Sequence, residues 1–338
     1  MPWEDLKAVF RPEGVHQGVM QADPKKCTRP RGSACQLCWD NCPFRAWELV
    51  EGEEPHLVEN YNCFSCYNCM VACPRNAISI VEPYHVDEGG FYATLPHALE
   101  AKPPAKPLDA DGNSDEWTTV EKAILNRRSV RNLKDKPVPE NLVRRVLEAG
   151  RFAPSAGNSQ PWKFIVITNR ALIEEINEGV WGGLSMLHSM YVDDEQVKQL
   201  AVGYEMAPQP SVYDPRVIIG GMGSVAKRNG PVLLNAPVVV LILEDERGIS
   251  AGGINIGICG QNMNLAANSL GLGVCWVGFA TVAGLIPPLA EKLGIEPPWK
   301  LMTALVMGYP RFKQEGIVPR EYRPVTWFRE GTDGSVEE

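Results

Sequence analysis

The hydrophobic pattern divides the chain near residue 118. Beyond that point apolar residues fall at helical spacing twice: Val120, Ala123 and Ile124 in TTVEKAILNRRS, and Leu142, Val143, Val146, Leu147 and Ala149 in ENLVRRVLEAGRFAP. Thr118 and Glu121 stand in capping-box register at the head of the first. KFIVIT (163–168) predicts a strand closed by Asn169-Arg170, and ALIEEINEGV a helix. Residues 180–230 carry scattered aromatics and glycines and predict irregular structure. APVVVLILED (236–245) stays apolar almost to its end, the pattern of a strand buried on both faces. GGINIGICGQNMNLAANSLGLG (252–273) predicts a long, nearly apolar helix ended by glycines. VCWVGF then reads as a strand, LIPPLAEKLG as a short helix, and KLMTALVMGYP as a strand and turn. The sum is an α+β domain, one mixed sheet with helices packed on it.

Before residue 118 that periodicity is missing. Residues 1–26 form a lead-in rich in Pro, Gly and charge, and 27–81 are dense in cysteine. Residues 82–117 hold many Pro, Gly and Asp residues and read as a linker, with Phe91, Tyr92 and Trp117 available to pin it. The expected organisation is a small domain at 1–81, a linker at 82–117 and a larger domain at 118–338.

Eight of the ten cysteines lie in the first 75 residues. Cys63-x2-Cys66-x2-Cys69-x3-Cys73-Pro74 has the spacing of the bacterial ferredoxin run that binds an iron–sulfur cluster. Upstream stands Cys27-x7-Cys35-x2-Cys38-x3-Cys42-Pro43. The two are an internal repeat: Cys35, Cys38 and Cys42 recur 31 residues later, and CPFRAWELV at 42–50 matches CPRNAISIV at 73–81. Cys27 alone is out of step, by five residues, because KKCTRPRGSAC lengthens the first gap. Zinc also takes Cys-x2-Cys pairs, but rarely two tandem four-cysteine runs ending in Cys-Pro. A disulfide framework needs an oxidising compartment, for which the sequence gives no sign. Similarity to two-cluster ferredoxins, where the fourth cysteine of each run serves the other cluster, implies two [4Fe–4S] sites. Cys27, Cys35, Cys38 and Cys73 would hold one, and Cys42, Cys63, Cys66 and Cys69 the other.

Charge and composition narrow the partners. A net charge of −8 argues against nucleic acid. No stretch reaches the length of a membrane span, and MPWEDLKAVFRPEG lacks the basic start and apolar core of a signal peptide, so a cytoplasmic protein is expected, and since oxygen attacks exposed clusters, an oxygen-poor setting. Cys259 and Cys275 sit among apolar residues and read as packing.

Three stretches of the larger domain suit a flat, phosphorylated cofactor. Arg127, Arg128, Ser129 and Arg131 offer guanidinium groups and a hydroxyl for phosphate. Pro154, Ser155, Ala156, Gly157, Asn158 and Gln160 form a loop of small residues that lets backbone approach a ring. Gly271 to Gly278 offers a second such approach. Taken in order, RRSVR, PSAGNSQPW, NAPVVVLIL, the long helix with Gln261-Asn262, GLGVCWVGF and MGYP resemble the FMN-dependent nitroreductase family over about residues 118–328. With the cysteine runs, the whole resembles the ferredoxin-fused branch of that family: a small two-cluster ferredoxin-like domain followed by a nitroreductase-like mixed sheet flanked by helices.

The resemblance implies roles by position. Arg127, Arg128, Ser129 and Arg131 would contact the FMN phosphate and ribityl chain. Pro154 to Gln160 would lie along the flavin, partly from a partner subunit. Val277 and Gly278 would present backbone amides to it, and Arg320 or Arg323 would close on the phosphate. A homodimer with FMN at its interface follows, covered in part by the helix at 253–270. The reading is an FMN- and iron–sulfur-dependent oxidoreductase: electrons pass from an external ferredoxin or flavodoxin through two [4Fe–4S] clusters to FMN, then to a small organic acceptor such as a nitro compound, activated alkene, quinone or halogenated aromatic. The alternative is a redox-sensing or electron-distributing flavoprotein without turnover.

One motif pulls elsewhere. Gly221-x-Gly223-x-x-Ala226, with Glu244 about 20 residues on, imitates a dinucleotide fingerprint, but Gly230-Pro231 leaves room for little helix. No acid–base residue stands out. His188, Tyr191, Tyr204 and Tyr213 are candidates only by their place in the 180–230 stretch.

Overall fold

The structure is a computed structural model that describes residues 15–59, 61, 63, 65–83, 85–86, 101–102, 104–192, 221–226, 230–249, 253–314, 316–321, 325–330 and 335–337. The described residues fall into two compact units. The first holds those up to Thr118 together with those from 316 onward, and the second holds 119–192 and 221–314.

The first unit repeats itself. One half has β1 (Val19–Ala22), α1 (Leu37–Asp40) and β2 (Trp47–Glu48). The other has β3 (His56–Leu57), α2 (Asn68–Ala72) and β4 (Ile78–Glu82). Strand β1 pairs antiparallel with β4, and β2 with β3, so each half lends its strands to the other. The 31-residue offset reaches the backbone. Arg45 (φ 52°) and Asn76 (φ 48°) occupy the same left-handed position after each Cys-Pro. Met20, Trp47 and Ile78 pack with Cys38 and Cys69 into a small core.

Part of the expected linker is anchored in this unit. Ala101–Lys102 pairs with Arg320–Glu321, and Leu108 bridges Ser114 across a turn in which the Asp109 carboxylate accepts the amides of Asp111 and Asn113. Those bonds hold the Asp109 carboxyl below its usual range. Trp117 is half-buried, whereas Phe91 and Tyr92 lie outside the described residues.

The second unit is a four-stranded sheet of β5 (Trp162–Ile167), β6 (Val238–Asp245), β7 (Gly273–Val277) and β8 (Trp299–Gly308), in the order β7-β8-β6-β5. All three pairings are antiparallel, and the sheet is mixed only through a parallel bridge between Ser129 and Val274. Helices follow the pattern: α3 (Thr119–Asn126), α4 (Glu140–Arg151), α5 (Arg170–Val192), α6 (Ile254–Ser269) and α7 (Pro287–Leu293).

Strand β6 is buried on both sides, as its unbroken apolar run predicts, and its two faces serve two cores. Val239, Leu241 and Leu243 pack with Ile173, Ile176, Val180 and Leu184 of α5. Val238, Val240 and Ile242 pack with Val143 and Val146 of α4 and Ile256, Cys259 and Met263 of α6. Burying each such side chain contributes roughly 1.5–3 kcal/mol.

Two expectations change. The stretch after residue 180 is not irregular at its start: α5 runs on to Val192, because Val180 and Leu184 extend its buried stripe past the two glycines at 182–183. Its first turn is capped by Asn169, whose Oδ1 accepts the Leu172 amide at 3.1 Å. On the apolar side of α3, Val120 and Ile124 also stay 66% and 48% exposed among the described residues.

Close packing depends on a few glycines. A Cβ at Gly260 of α6 would stand 2.2 Å from Cη2 of Trp276, which lies against the helix from β7. Gly260→Ala should therefore destabilise the protein by about 1–3 kcal/mol. The check is a lower urea midpoint with an unchanged m-value.

Candidate functional site

The eight N-terminal cysteines gather in two sets that cross the repeat. The Cys38 thiol is pushed up to about 12, first by burial, then by its neighbours Cys35, Cys73 and Cys27. The Cys69 thiol is raised well above its usual value by burial, then by Cys66, Cys42 and Cys63. Burial also pushes Cys63 up to about 11, with Cys66 and Cys42 adding to it. Cys42 is raised by burial, and Cys66 raises it further. The fourth cysteine of each run thus sits with the first three of the other. A cavity is lined by Cys42, Cys63, Cys66 and Cys69 together with Trp47, Leu57 and Tyr67.

Donors are already aimed at these sulfurs. The Ala46 amide points at Cys42 Sγ and the Ala77 amide at Cys73 Sγ, both at 3.3 Å, one in each half of the repeat. The Trp47 side chain donates to Cys69, and the Arg45 charge lowers Cys42. Such bonds favour the thiolate, the form that binds metal. Sequence reading named the sulfurs but not these donors, although the repeated Cys-Pro-x-x-Ala carried the signal. Among the described residues no three His, Cys, Asp or Glu groups are gathered as one metal ion would need.

In the second unit, two of the three candidate stretches meet. The Val130 amide donates to the Val274 carbonyl at 2.9 Å, laying RRSVR along β7. Gly273 permits this, since a Cβ there would meet Val130 at 2.7 Å. Arg128 is buried to 6% exposure, and its guanidinium pKa is lowered by burial and then by Arg127. Arg131 Nη1 is buried with no hydrogen-bond partner. Burial raises the Cys275 thiol, while Arg131, the Ser129 hydroxyl and Arg127 lower it, which places these groups around one point of β7. Clustered guanidinium groups with a buried, unanswered donor make a seat for an anion.

The third stretch stands at a strand end. Pro154 to Gln160 is exposed except for half-buried Ser155, whose Oγ accepts the Gln160 amide at 3.0 Å. Gly157, Asn158 and Gln160 have φ of 57°, 52° and 48°. The loop is tied to the end of β6 where Asp245 N–H donates to Pro161 O at 2.9 Å. Strands β6 and β7 both run antiparallel to β8 and so point the same way, with Val277 opposite Ala304 in mid-β8 and Asp245 opposite Trp299 at its start. Val277 is buried, and Gly278 faces open space where a Cβ would stand.

Arg320 belongs to the first unit, in its two-residue strand opposite Lys102, and Arg323 lies outside the described residues. Glu244 is buried and accepts the Gly253 amide at 3.1 Å, and Gly223–Ala226 is a four-residue helix, so the described residues of the fingerprint-like stretch show no dinucleotide geometry. His188 is half-buried on α5; the Tyr191 side chain, Tyr204 and Tyr213 lie outside the described residues.

This geometry agrees with what the chain is similar to. The chain belongs to the nitroreductase family, whose model matches residues 124–309, just over half of its length. A 4Fe-4S dicluster domain model matches residues 32–78. A protein of Methanothermobacter thermautotrophicus, assigned as an NADH dehydrogenase/NAD(P)H nitroreductase, is 26% identical over 203 residues, 59% of this chain and 81% of that protein. An NADH dehydrogenase of Thermus thermophilus is 45% identical over 60 residues, 18% of this chain and 29% of that protein. An FMN-bound nitroreductase structure from Desulfitobacterium hafniense covers 63% of this chain and 100% of its own, with 19% identity and a TM-score of 0.47. No helix among the described residues is long and apolar enough to cross a membrane.

Cys259 and Cys275 are packing residues. Both are buried, and burial pushes Cys259 up to about 12. In the folded protein at pH 8 both should stay protonated and escape alkylation by iodoacetamide. Mass mapping should find them modified only after denaturation.

Proposed function

We propose that the protein is an iron–sulfur flavoprotein oxidoreductase. Electrons from a low-potential carrier, a ferredoxin or flavodoxin, enter two [4Fe–4S] clusters and reach FMN and then an organic acceptor: a nitro compound, activated alkene, quinone or halogenated aromatic. The observation that carries this reading is the gathering of eight thiols into two crossed sets of four in a chain of the nitroreductase family. The sets suit a cube several ångströms across better than a single zinc ion.

Bound FMN supplies the exchange between one-electron and hydride chemistry. The chain's own residues bind and orient it. Arg127, Arg128, Ser129 and Arg131 take the phosphate and ribityl chain, which supplies Arg131 Nη1 with an acceptor. Val277 and Gly278 offer backbone amides, and the loop from Pro154 to Gln160 covers the ring. Arg320 or Arg323 adds a charge at the phosphate. The division at 1–81, 82–117 and 118–338 is part of the same proposal, as is the pairing with a second copy. The exposed apolar residues Val120, Ile124, Ile254 and Ile258 on α3 and α6 support that pairing.

The test is an anaerobic preparation with iron, sulfide and flavin counted per chain. About eight irons and one FMN are expected, with the flavin bleached by a reduced ferredoxin and not by a nicotinamide. Zinc in place of iron, or bleaching by a nicotinamide alone, would sink the relay. Crossing of the ligands has its own check. Cys42→Ser with Cys63→Ser should remove about four irons, one cluster, whereas Cys42→Ser with Cys35→Ser should remove about eight. Ile258→Glu should shift the protein towards monomer in sedimentation and lower its bound FMN.

A further inference from the structure

We infer that the basic loop at residues 25–31, together with Arg75, is the docking surface for an acidic one-electron carrier protein, so that electrons enter at the set Cys27, Cys35, Cys38 and Cys73. This rests on the proposed relay and adds where the carrier binds and by what chemistry.

The loop is where the repeat is broken. The residues that lengthen the gap from Cys27 to Cys35 have no counterpart before Cys66. Within residues 23–35 stand Lys25, Lys26, Arg29 and Arg31 against a single acid, Asp23, in a chain whose net charge is −8. The corresponding approach to Cys63 is opposite in sign, with Glu51, Glu53, Glu54 and Glu59.

The loop is shaped to show its charge. Residues Arg29–Arg31 make a single 3-10 turn ended by Gly32 at φ 83°. Arg29 is used inward: its Nη1 donates to Cys35 O at 3.0 Å and its Nη2 to Val50 O at 2.9 Å. Arg31 Nη1 donates to Lys25 O at 3.2 Å, bracing the lysines without neutralising them. Lys25 and Lys26 are exposed. Asp23 stands 3.8 Å from Lys26 with both groups well solvated, a pair too weak to cancel the patch. The Asp23 amide donates to Ala77 O at 2.8 Å, so the residue that leads into the loop is bonded two residues past exposed Arg75.

An acidic carrier is therefore drawn to one thiol set and repelled by the lead-in to the other. Complementary charge of this kind raises the rate of encounter and fixes its orientation, and salt screens it. Each encounter would pass one electron, lost by the carrier and gained by the group that Cys27, Cys35, Cys38 and Cys73 would hold.

The experiment uses the holoprotein and an oxidised two-[4Fe–4S] ferredoxin of strongly negative charge, with binding measured by biolayer interferometry across ionic strength. Lys25→Glu with Lys26→Glu leaves Arg29 and Arg31 in place, and Arg75→Glu is made separately. At low salt the double variant should bind at least about tenfold more weakly and lose most of its salt dependence. Its iron and sulfide content and its deazaflavin photoreduction should match the parent. Glu53→Gln with Glu54→Gln, the control, should bind no more weakly than the parent. Binding and reduction by ferredoxin that are unchanged in both lysine and arginine variants would overturn the docking surface while leaving the relay intact. A parent protein without iron would overturn the relay, and this inference with it.

Discussion

Strand β6 has no face that water can reach, and the second unit is arranged around that constraint. A strand of Val, Leu and Ile buried on both sides needs a helical layer on each. Helix α5 supplies one, and α4 with α6 the other. Its hydrogen-bonding edges need strands, which β5 and β8 provide. Once β8 is placed, β7 can add only on its outer side, and the arginine strip lies along β7. The candidate anion seat thus follows from the core: the charged residues are carried on a segment whose backbone bonds to a sheet that hydrophobic burial has fixed.

The first unit solves a different problem. Among the described residues its core is a small cluster around Met20, Trp47 and Ile78. What it has in abundance is thiol. Two short sheets joined across the repeat and two thiol sets joined across it tie the halves together twice over. Burial raises the thiol pKa of Cys38, Cys42, Cys63 and Cys69.

Much of this was legible in the residues. The unbroken run at 236–245 announced a doubly buried strand, and the 31-residue offset announced the paired halves. The cysteine crossing came from resemblance, and the mutual effects of the thiols agree with it. The failures have physical causes. Helix α5 runs beyond the expected stop because its buried stripe continues through Val180 and Leu184, which outweighs the local cost of glycine. The apolar side of α3 has helical periodicity and yet stays exposed, since periodicity reports that a face is apolar and not what covers it. The amide donors to Cys42 and Cys73 are backbone groups marked only by the repeated Cys-Pro-x-x-Ala, and Gly273 shows its purpose only when Val130 is seen above it.

The exchange of strands between halves has a consequence for synthesis. Strand β1 has no partner until β4 has left the ribosome, some 60 residues later, an interval of roughly 3–12 s at ordinary elongation rates. Through that interval the first four cysteines also lack Cys73, which stands beside Cys38 in the finished fold. The domain therefore has a vulnerable age as well as a stable state.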